Sequence, residues 1–302
     1  MISANRKKNT TIIPVNSKLI PDSINVLPVS ITFKAPALKF LYNEISILHQ
    51  SRYNIKMEYH SYLQQQGISI SAHRGGSLEA PENTLEAFKY SLDLGCKYIE
   101  TDVQLSSDGI PYIFHDDDLK RILGRDILFN SMPSSEIDSL IIFQKYSIPT
   151  LEAALLEFPE ALFQIDVKTD EVAMPALETI KKCAAMPRVC IASFNSDRLK
   201  RVSEAYPDVC LSMGPKEVLK LLLSSFRLYH KDVPGHCLQI PIYQYGLKLV
   251  TQRFINYVQK RGLKIMVWTI NDQETMQTLI DMGVDGIITD RPSALKELLS
   301  KA

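Results

Sequence analysis

From Gly67 to the C-terminus, short β-rich runs alternate with amphipathic helical segments, and no other feature constrains the fold as much. The runs are Ile68–Ala72, Tyr98–Leu105, Leu162–Val167, Val189–Ser193, Val209–Met213, Leu238–Ile242, Lys264–Thr269 and Gly286–Thr289. Between most of them lie helical stretches, at Leu85–Leu94, Ala173–Cys183, Asp197–Ala205, Lys216–Leu223, Gln252–Lys260, Glu274–Met282 and Ala294–Leu299. This alternation signals parallel βαβ units. Eight such strands in a span of this size fit a TIM-type (β/α)8 barrel, which typically takes about 250 residues. A doubly wound open sheet is the competitor, but the G-x-G-x-x-G loop that would announce it is missing.

A ninth run, Ile110–Phe114, follows Tyr98–Leu105 after only Ser106-Ser107-Asp108-Gly109. So short a link cannot make a parallel crossover, and Asp-Gly is a strong hairpin signal. An antiparallel return is therefore predicted, laying His115 beside Glu100 and Asp102. Residues 116–148 then read as a long irregular insertion, of the kind that forms lids or binding loops. Residues 1–66 read as an N-terminal extension outside the barrel unit of residues 67–302. In it a helix is expected from Ala37, with Leu38, Leu41, Tyr42, Ile45 and Leu48 on one face.

Composition removes several classes of function. Lys+Arg and Asp+Glu both number 34, so the balance lacks the basic excess of nucleic-acid binders. The five cysteines, Cys96, Cys183, Cys190, Cys210 and Cys237, show no C-x-x-C spacing, which speaks against a zinc site or a disulfide framework. Those in apolar runs behave as small buried hydrophobes, and a reducing, cytoplasmic setting is expected. No apolar run approaches the roughly 20 residues of a membrane span. Arg6, Lys7 and Lys8 precede only Ile12-Ile13 and then Pro14, too short for a signal-peptide core.

Charged residues stand where strands should be apolar. His73-Arg74-Gly75-Gly76 ends the first strand; Glu100 and Asp102 alternate in the second, and Asp166 and Lys168 in the third. A period of two puts each pair on one face. Near the carboxyl ends of barrel strands, inward charges occupy the expected catalytic position. Three converging carboxylates repel one another unless a cation neutralises them, and oxygen-only ligands favour Mg²⁺ or Ca²⁺.

The motifs Ala72-His73-Arg74-Gly75, Ala80-Pro81-Glu82-Asn83-Thr84, Ile99-Glu100-Thr101-Asp102-Val103 and Asp108-Gly109 with Phe114-His115-Asp116 stand in order. Val267-Trp268-Thr269-Ile270-Asn271 and Asp285-Gly286-Ile287-Ile288-Thr289-Asp290-Arg291-Pro292 complete the set. From about Ile68 onward the chain thereby resembles the glycerophosphodiester phosphodiesterase family. The resemblance implies a TIM-type barrel holding one divalent cation on Glu100, Asp102 and Asp166. It also implies His73 and His115 as the acid/base pair, with Arg74 and Lys168 on the phosphate. The family usually carries E-x-K where this chain has Asp166-Val167-Lys168, a departure shared with sphingomyelinase D-type phospholipases.

Asn83 is expected either to cap the helix from Leu85, with Glu86 as capping-box partner, or to face the substrate. Trp268 is expected to wall the substrate pocket, with Phe194 as a weaker candidate. The run Asp116-Asp117-Asp118 reads as a solvated loop. The expected activity is metal-dependent hydrolysis of small glycerophosphodiesters to glycerol 3-phosphate and an alcohol. A lysophospholipase D acting on longer lipids is the near alternative, favoured if residues 116–148 form an apolar groove. A silent barrel acting as a binding module is the distant one.

Overall fold

A computed structural model describes residues 60–301; the helix expected from Ala37 lies outside the described residues. Eight parallel strands form the barrel: β1 (Ser69–His73), β2 (Tyr98–Leu105), β3 (Leu162–Val167), β4 (Val189–Ala192), β5 (Cys210–Leu211), β6 (Cys237–Pro241), β7 (Lys264–Trp268) and β8 (Gly286–Thr289). Their hydrogen-bonded order is β5-β4-β3-β2-β1-β8-β7-β6, and a parallel bridge between Ser212 and Cys237 joins the two ends. The circuit follows chain order, as short right-handed crossovers require. At β5 the ladder is shorter than the apolar run Val209–Met213, because this strand meets β6 at that single bridge.

The helices after each strand are α1 (Leu85–Asp93), α2 (Leu151–Glu157), α3 (Asp170–Lys182), α4 (Ser196–Ala205), α5 (Pro215–Ser225), α6 (Gln252–Lys260), α7 (Gln273–Asp281) and α8 (Pro292–Lys301). Outward strand residues such as Ile99, Val103, Ile165 and Ile191 pack with Val172, Ala176 and Leu199 of the helices in one buried cluster. Burial of each such aliphatic side chain stabilises by about 1.5–3 kcal/mol. Thr150, Thr169, Asn195, Thr251 and Asp272 each accept a backbone N–H at a helix start. The cap at Thr169 is why α3 begins before Ala173.

Thr84, not Asn83, caps α1: its Oγ1 accepts from Ala87 N at 3.1 Å. Asn83 sits one residue earlier at φ 56°, which turns its carboxamide inward. The antiparallel return is Pro111–Ile113, with Val103 opposite Ile113. The stretch 116–148 is better ordered than its sequence suggests. Tyr112, Phe114, Leu119, Phe129 and Ile137 form a small core of their own, and the Phe114 and Phe129 rings stack at 4.8 Å.

The turn after β1 depends on Gly75. Its φ is +81°, and a Cβ there would meet Ala87 Cβ and Phe88 Cδ1, both at 2.8 Å. Gly75→Ala combines left-handed backbone strain with overpacking against α1, and is expected to destabilise the fold by about 2–4 kcal/mol. Chemical denaturation would show this as a lower midpoint with an unchanged slope; an unshifted midpoint would contradict it.

Candidate active site

Strand register assembles the site. His73 is the lateral partner of Glu100, and Asp102 that of Asp166, so neighbouring side chains enter the barrel at one level. At the carboxyl ends of the strands, His73, Arg74, Glu100, Asp102, His115, Asp166, Lys168 and Trp268 all line one cavity of about 260 Å³. Asn83 does not line it. Buried to 3% exposure behind β2, it donates to Asp102 Oδ2 at 3.2 Å and accepts from Thr101 Oγ1 at 2.8 Å. Its geometry is that of a support for Asp102 rather than of a substrate contact.

The two histidines are held alike. His73 Nδ1 lies 2.5 Å from Asp290 Oδ1, while its Nε2 is 3.7 Å from Glu100 Oε2. His115 Nδ1 lies 2.6 Å from Asp116 Oδ1. An aspartate on Nδ1 fixes the ring and its tautomer, leaving Nε2 for the cavity. Asp290 also accepts from Ser77 Oγ and, at 2.6 Å, from Asn271 Nδ2. Burial works against its charge, yet the bonds from His73 and Ser77 hold Asp290 down at about 2. Burial likewise disfavours a charged His73, but Glu100 and Asp290 outweigh it and raise its pKa.

Asp116, expected in a solvated loop, is thus a partner of His115. It also accepts from Arg121 Nε at 2.7 Å, and Arg121 reaches across to Glu82 at 2.6 Å and 2.9 Å. Glu82 in turn accepts from Arg74 Nη1 at 3.1 Å. This chain of ion pairs ties the His115 side of the cavity to the Arg74 side. Glu82 and Asp290 stand within the family motifs, but no sequence signal gives them or Arg121 a role in the site.

The carboxylates carry more negative charge than the enclosed bases cancel. Lys168 Nζ lies 2.7 Å from both Asp102 Oδ1 and Asp166 Oδ2. Arg74 contributes its Nε at 3.4 Å from Asp102 and its backbone N–H, 3.1 Å from Glu100 Oε2. Burial opposes the charge on Asp102, but Lys168, His115 and Arg74 keep its pKa low. Burial and the Asp102 charge instead push Glu100 up to about 7. Burial also raises Asp166, against the pull of Lys168. Glu100 Oε1 and Asp166 Oδ1 accept no hydrogen bond from any described residue. Buried hard oxygens with spare lone pairs and a surplus of negative charge fit a divalent cation.

The cavity has an apolar side as well. Met213, Val218, Ile240 and Trp268 line it, and Phe194 meets Trp268 edge-on at a ring separation of 5.8 Å. None of residues 116–148 does, so the insertion adds no apolar wall to this cavity.

Asp290→Asn is expected to lower kcat by about 10–100-fold, because the amide cannot hold the His73 tautomer as the carboxylate does. The pH–rate profile should shift with it. A fall in kcat without any change in that profile would argue for a purely structural effect.

Residues 73–294 match the model of the glycerophosphoryl diester phosphodiesterase family. The chain is 32% identical to the "probable glycerophosphodiester phosphodiesterase 2" of Mycobacterium tuberculosis, across 79% of this chain and 93% of that one. It is also 32% identical to the glycerophosphodiester phosphodiesterase of Caldanaerobacter subterraneus, across 77% and 98%. Among solved structures, the glycerophosphodiester phosphodiesterase of Thermotoga maritima superposes with a TM-score of 0.61 at 27% identity, over 79% of this chain and all of that one. With the barrel, the paired histidines and the carboxylate cluster in one cavity, these likenesses establish that the chain belongs to the glycerophosphoryl diester phosphodiesterase family of phosphoric diester hydrolases.

Proposed function

We propose that this chain hydrolyses glycerophosphodiesters to glycerol 3-phosphate and an alcohol, with His73 and His115 as its acid/base pair. The observation that carries the reading is two imidazoles, each fixed through Nδ1 by an aspartate, opening onto one carboxylate-lined cavity. Phosphodiester cleavage needs one group to take a proton from the attacking hydroxyl and another to protonate the departing alkoxide. An imidazole steadied in this way suits either task. Arg74, steadied by Glu82, and Lys168, steadied by two aspartates, orient the phosphate. Glu100, Asp102 and Asp166 would hold one Mg²⁺ or Ca²⁺, which when bound supplies positive charge against the phosphoryl oxygens.

A lysophospholipase D activity is the second reading, favoured by the apolar side of the cavity at Met213, Val218, Ile240 and Trp268. Such a wall suits a substrate bearing an acyl chain. The catalytic unit is taken as residues 67–302, with 1–66 outside it. Free cysteines throughout the described chain fit a cytoplasmic setting. No helix of the described residues is long and apolar enough to cross a membrane.

The test is glycerol 3-phosphate release from glycerophosphocholine with Mg²⁺, with Ca²⁺ and with EDTA. Release that needs the cation is expected. If glycerophosphocholine stays intact under every condition while lysophosphatidylcholine yields choline, the second reading replaces the first.

A further inference from the structure

Inside the barrel, toward the N-terminal ends of β4, β5 and β6, three thiols face one another. Cys190 is the second residue of β4, Cys210 the first of β5 and Cys237 the first of β6. Adjacent strands bring them together, with Cys190 and Cys210 as lateral partners and Cys237 bridged to Ser212. Their sulfurs all lie within 4.8 Å of one another, and each residue is fully buried. Among the described residues this is the one compact group of three metal-ligand side chains. The proposed catalytic reaction uses none of them.

A second observation points into the same place. Tyr62, in the short helical turn Ser61–Leu63, packs with the three cysteines and Tyr98 in one buried cluster. Its ring sits edge-on to Tyr98 at 5.1 Å, and its carbonyl accepts from the Tyr98 hydroxyl at 2.7 Å. Yet the Tyr62 hydroxyl itself is buried with no hydrogen-bond partner. A buried hydroxyl left unpaired is unfavourable, and a ligand bound to it would relieve that.

We propose that Cys190, Cys210 and Cys237 form a structural site for a thiophilic d¹⁰ cation, Zn²⁺ or Cu⁺, with the Tyr62 hydroxyl as an available fourth donor. Thiolates select these ions over the hard cations that suit the carboxylate cavity. The Cys190 and Cys237 sulfurs are 3.8 Å apart. Binding converts the three thiols to thiolates, so three protons leave as the ion enters. A cation so placed would tie β4, β5 and β6 together where the barrel closes through one bridge. The site is sealed beneath Tyr62, so loading accompanies folding, as in other structural metal sites.

The experiment uses the full chain. Purified protein from cells supplied with Zn²⁺ or with Cu⁺ is assayed for metal after dialysis against Mg²⁺. Protein refolded with Cd²⁺ is examined for the ultraviolet thiolate-to-cadmium charge-transfer band, which an oxygen-donor site cannot give. Roughly one equivalent of zinc or copper per chain is expected, with the band present in the wild type. The band should vanish in Cys210→Ser and Cys237→Ser. Tyr62→Phe, which keeps the ring packing, should weaken retention at least about tenfold. Which metal co-purifies separates the Zn²⁺ and Cu⁺ forms. No band and no retained thiophilic metal in folded wild-type protein would overturn the proposal. So would a band that persists in folded Cys210→Ser and Cys237→Ser. Phosphodiesterase activity is not the readout, so failure here would leave the catalytic reading untouched.

Discussion

Replacing His115 with alanine is expected to lower kcat/KM for glycerophosphodiester cleavage by about 10²–10⁴-fold, the usual contribution of a positioned acid or base. Stability should barely change. The His115 side chain is a third exposed, and its partner Asp116 keeps its bond to Arg121 when the imidazole is gone. A melting temperature within about 2 °C of wild type is therefore expected, since surface substitutions rarely cost more than about 0.5 kcal/mol. One limb of the pH–rate profile should disappear, because one of the two proton-transfer groups is missing. Glycerol 3-phosphate release across pH, alongside thermal melts of the same samples, checks all three outcomes. Wild-type rates from the variant would remove His115 from the reaction.

The second large effect is expected at Glu100, where activity and stability should move in opposite directions. Glu100→Gln removes a proposed cation ligand, and turnover should fall by at least about 100-fold. The metal-free variant should nonetheless be more stable than the metal-free wild type at pH 8. Burial and Asp102 raise the Glu100 pKa from 4.5 to about 7 in the folded state. The folded protein therefore holds this proton more tightly than the unfolded chain does. Stability from the protonated carboxyl is full below about pH 4.5, is lost as pH rises towards 7, and is gone above it. Glutamine cannot ionise, so the variant avoids the loss, worth on the order of 1–3 kcal/mol. Added Mg²⁺ or Ca²⁺ should raise the wild-type melting temperature at pH 8 and leave the variant nearly unmoved. If Glu100→Gln instead melts lower than wild type in EDTA across the whole range, the buried-charge account is wrong.

Much of this is legible in the sequence. The barrel follows from periodicity, because a parallel strand buried on both sides must read as an apolar run and its return must be a helix. The hairpin after β2 follows from a link too short for a crossover. Inward charges in β2 and β3 stand out because nothing in a barrel's ordinary packing calls for them. What depends on the backbone conformation of single residues is less accessible. Asn83 and Thr84 are adjacent, and either type can cap a helix. The left-handed conformation of Asn83 decides that Thr84 does so, freeing Asn83 for Asp102.

Local patterning, which is a property of consecutive residues, determined the architecture of this protein, the strand faces and the family motifs. Pairings between residues far apart in the chain were decided only by the tertiary structure. His73 and Asp290 lie 217 positions apart and meet because β1 and β8 are neighbours in the closed barrel. Glu82 and Arg121 are 39 apart and meet because the insertion folds on its own core. The three cysteines showed no metal-site spacing, since their proximity comes from neighbouring strands and not from a shared loop. Side-chain chemistry is written locally, but electrostatic neighbourhoods form only when the barrel closes.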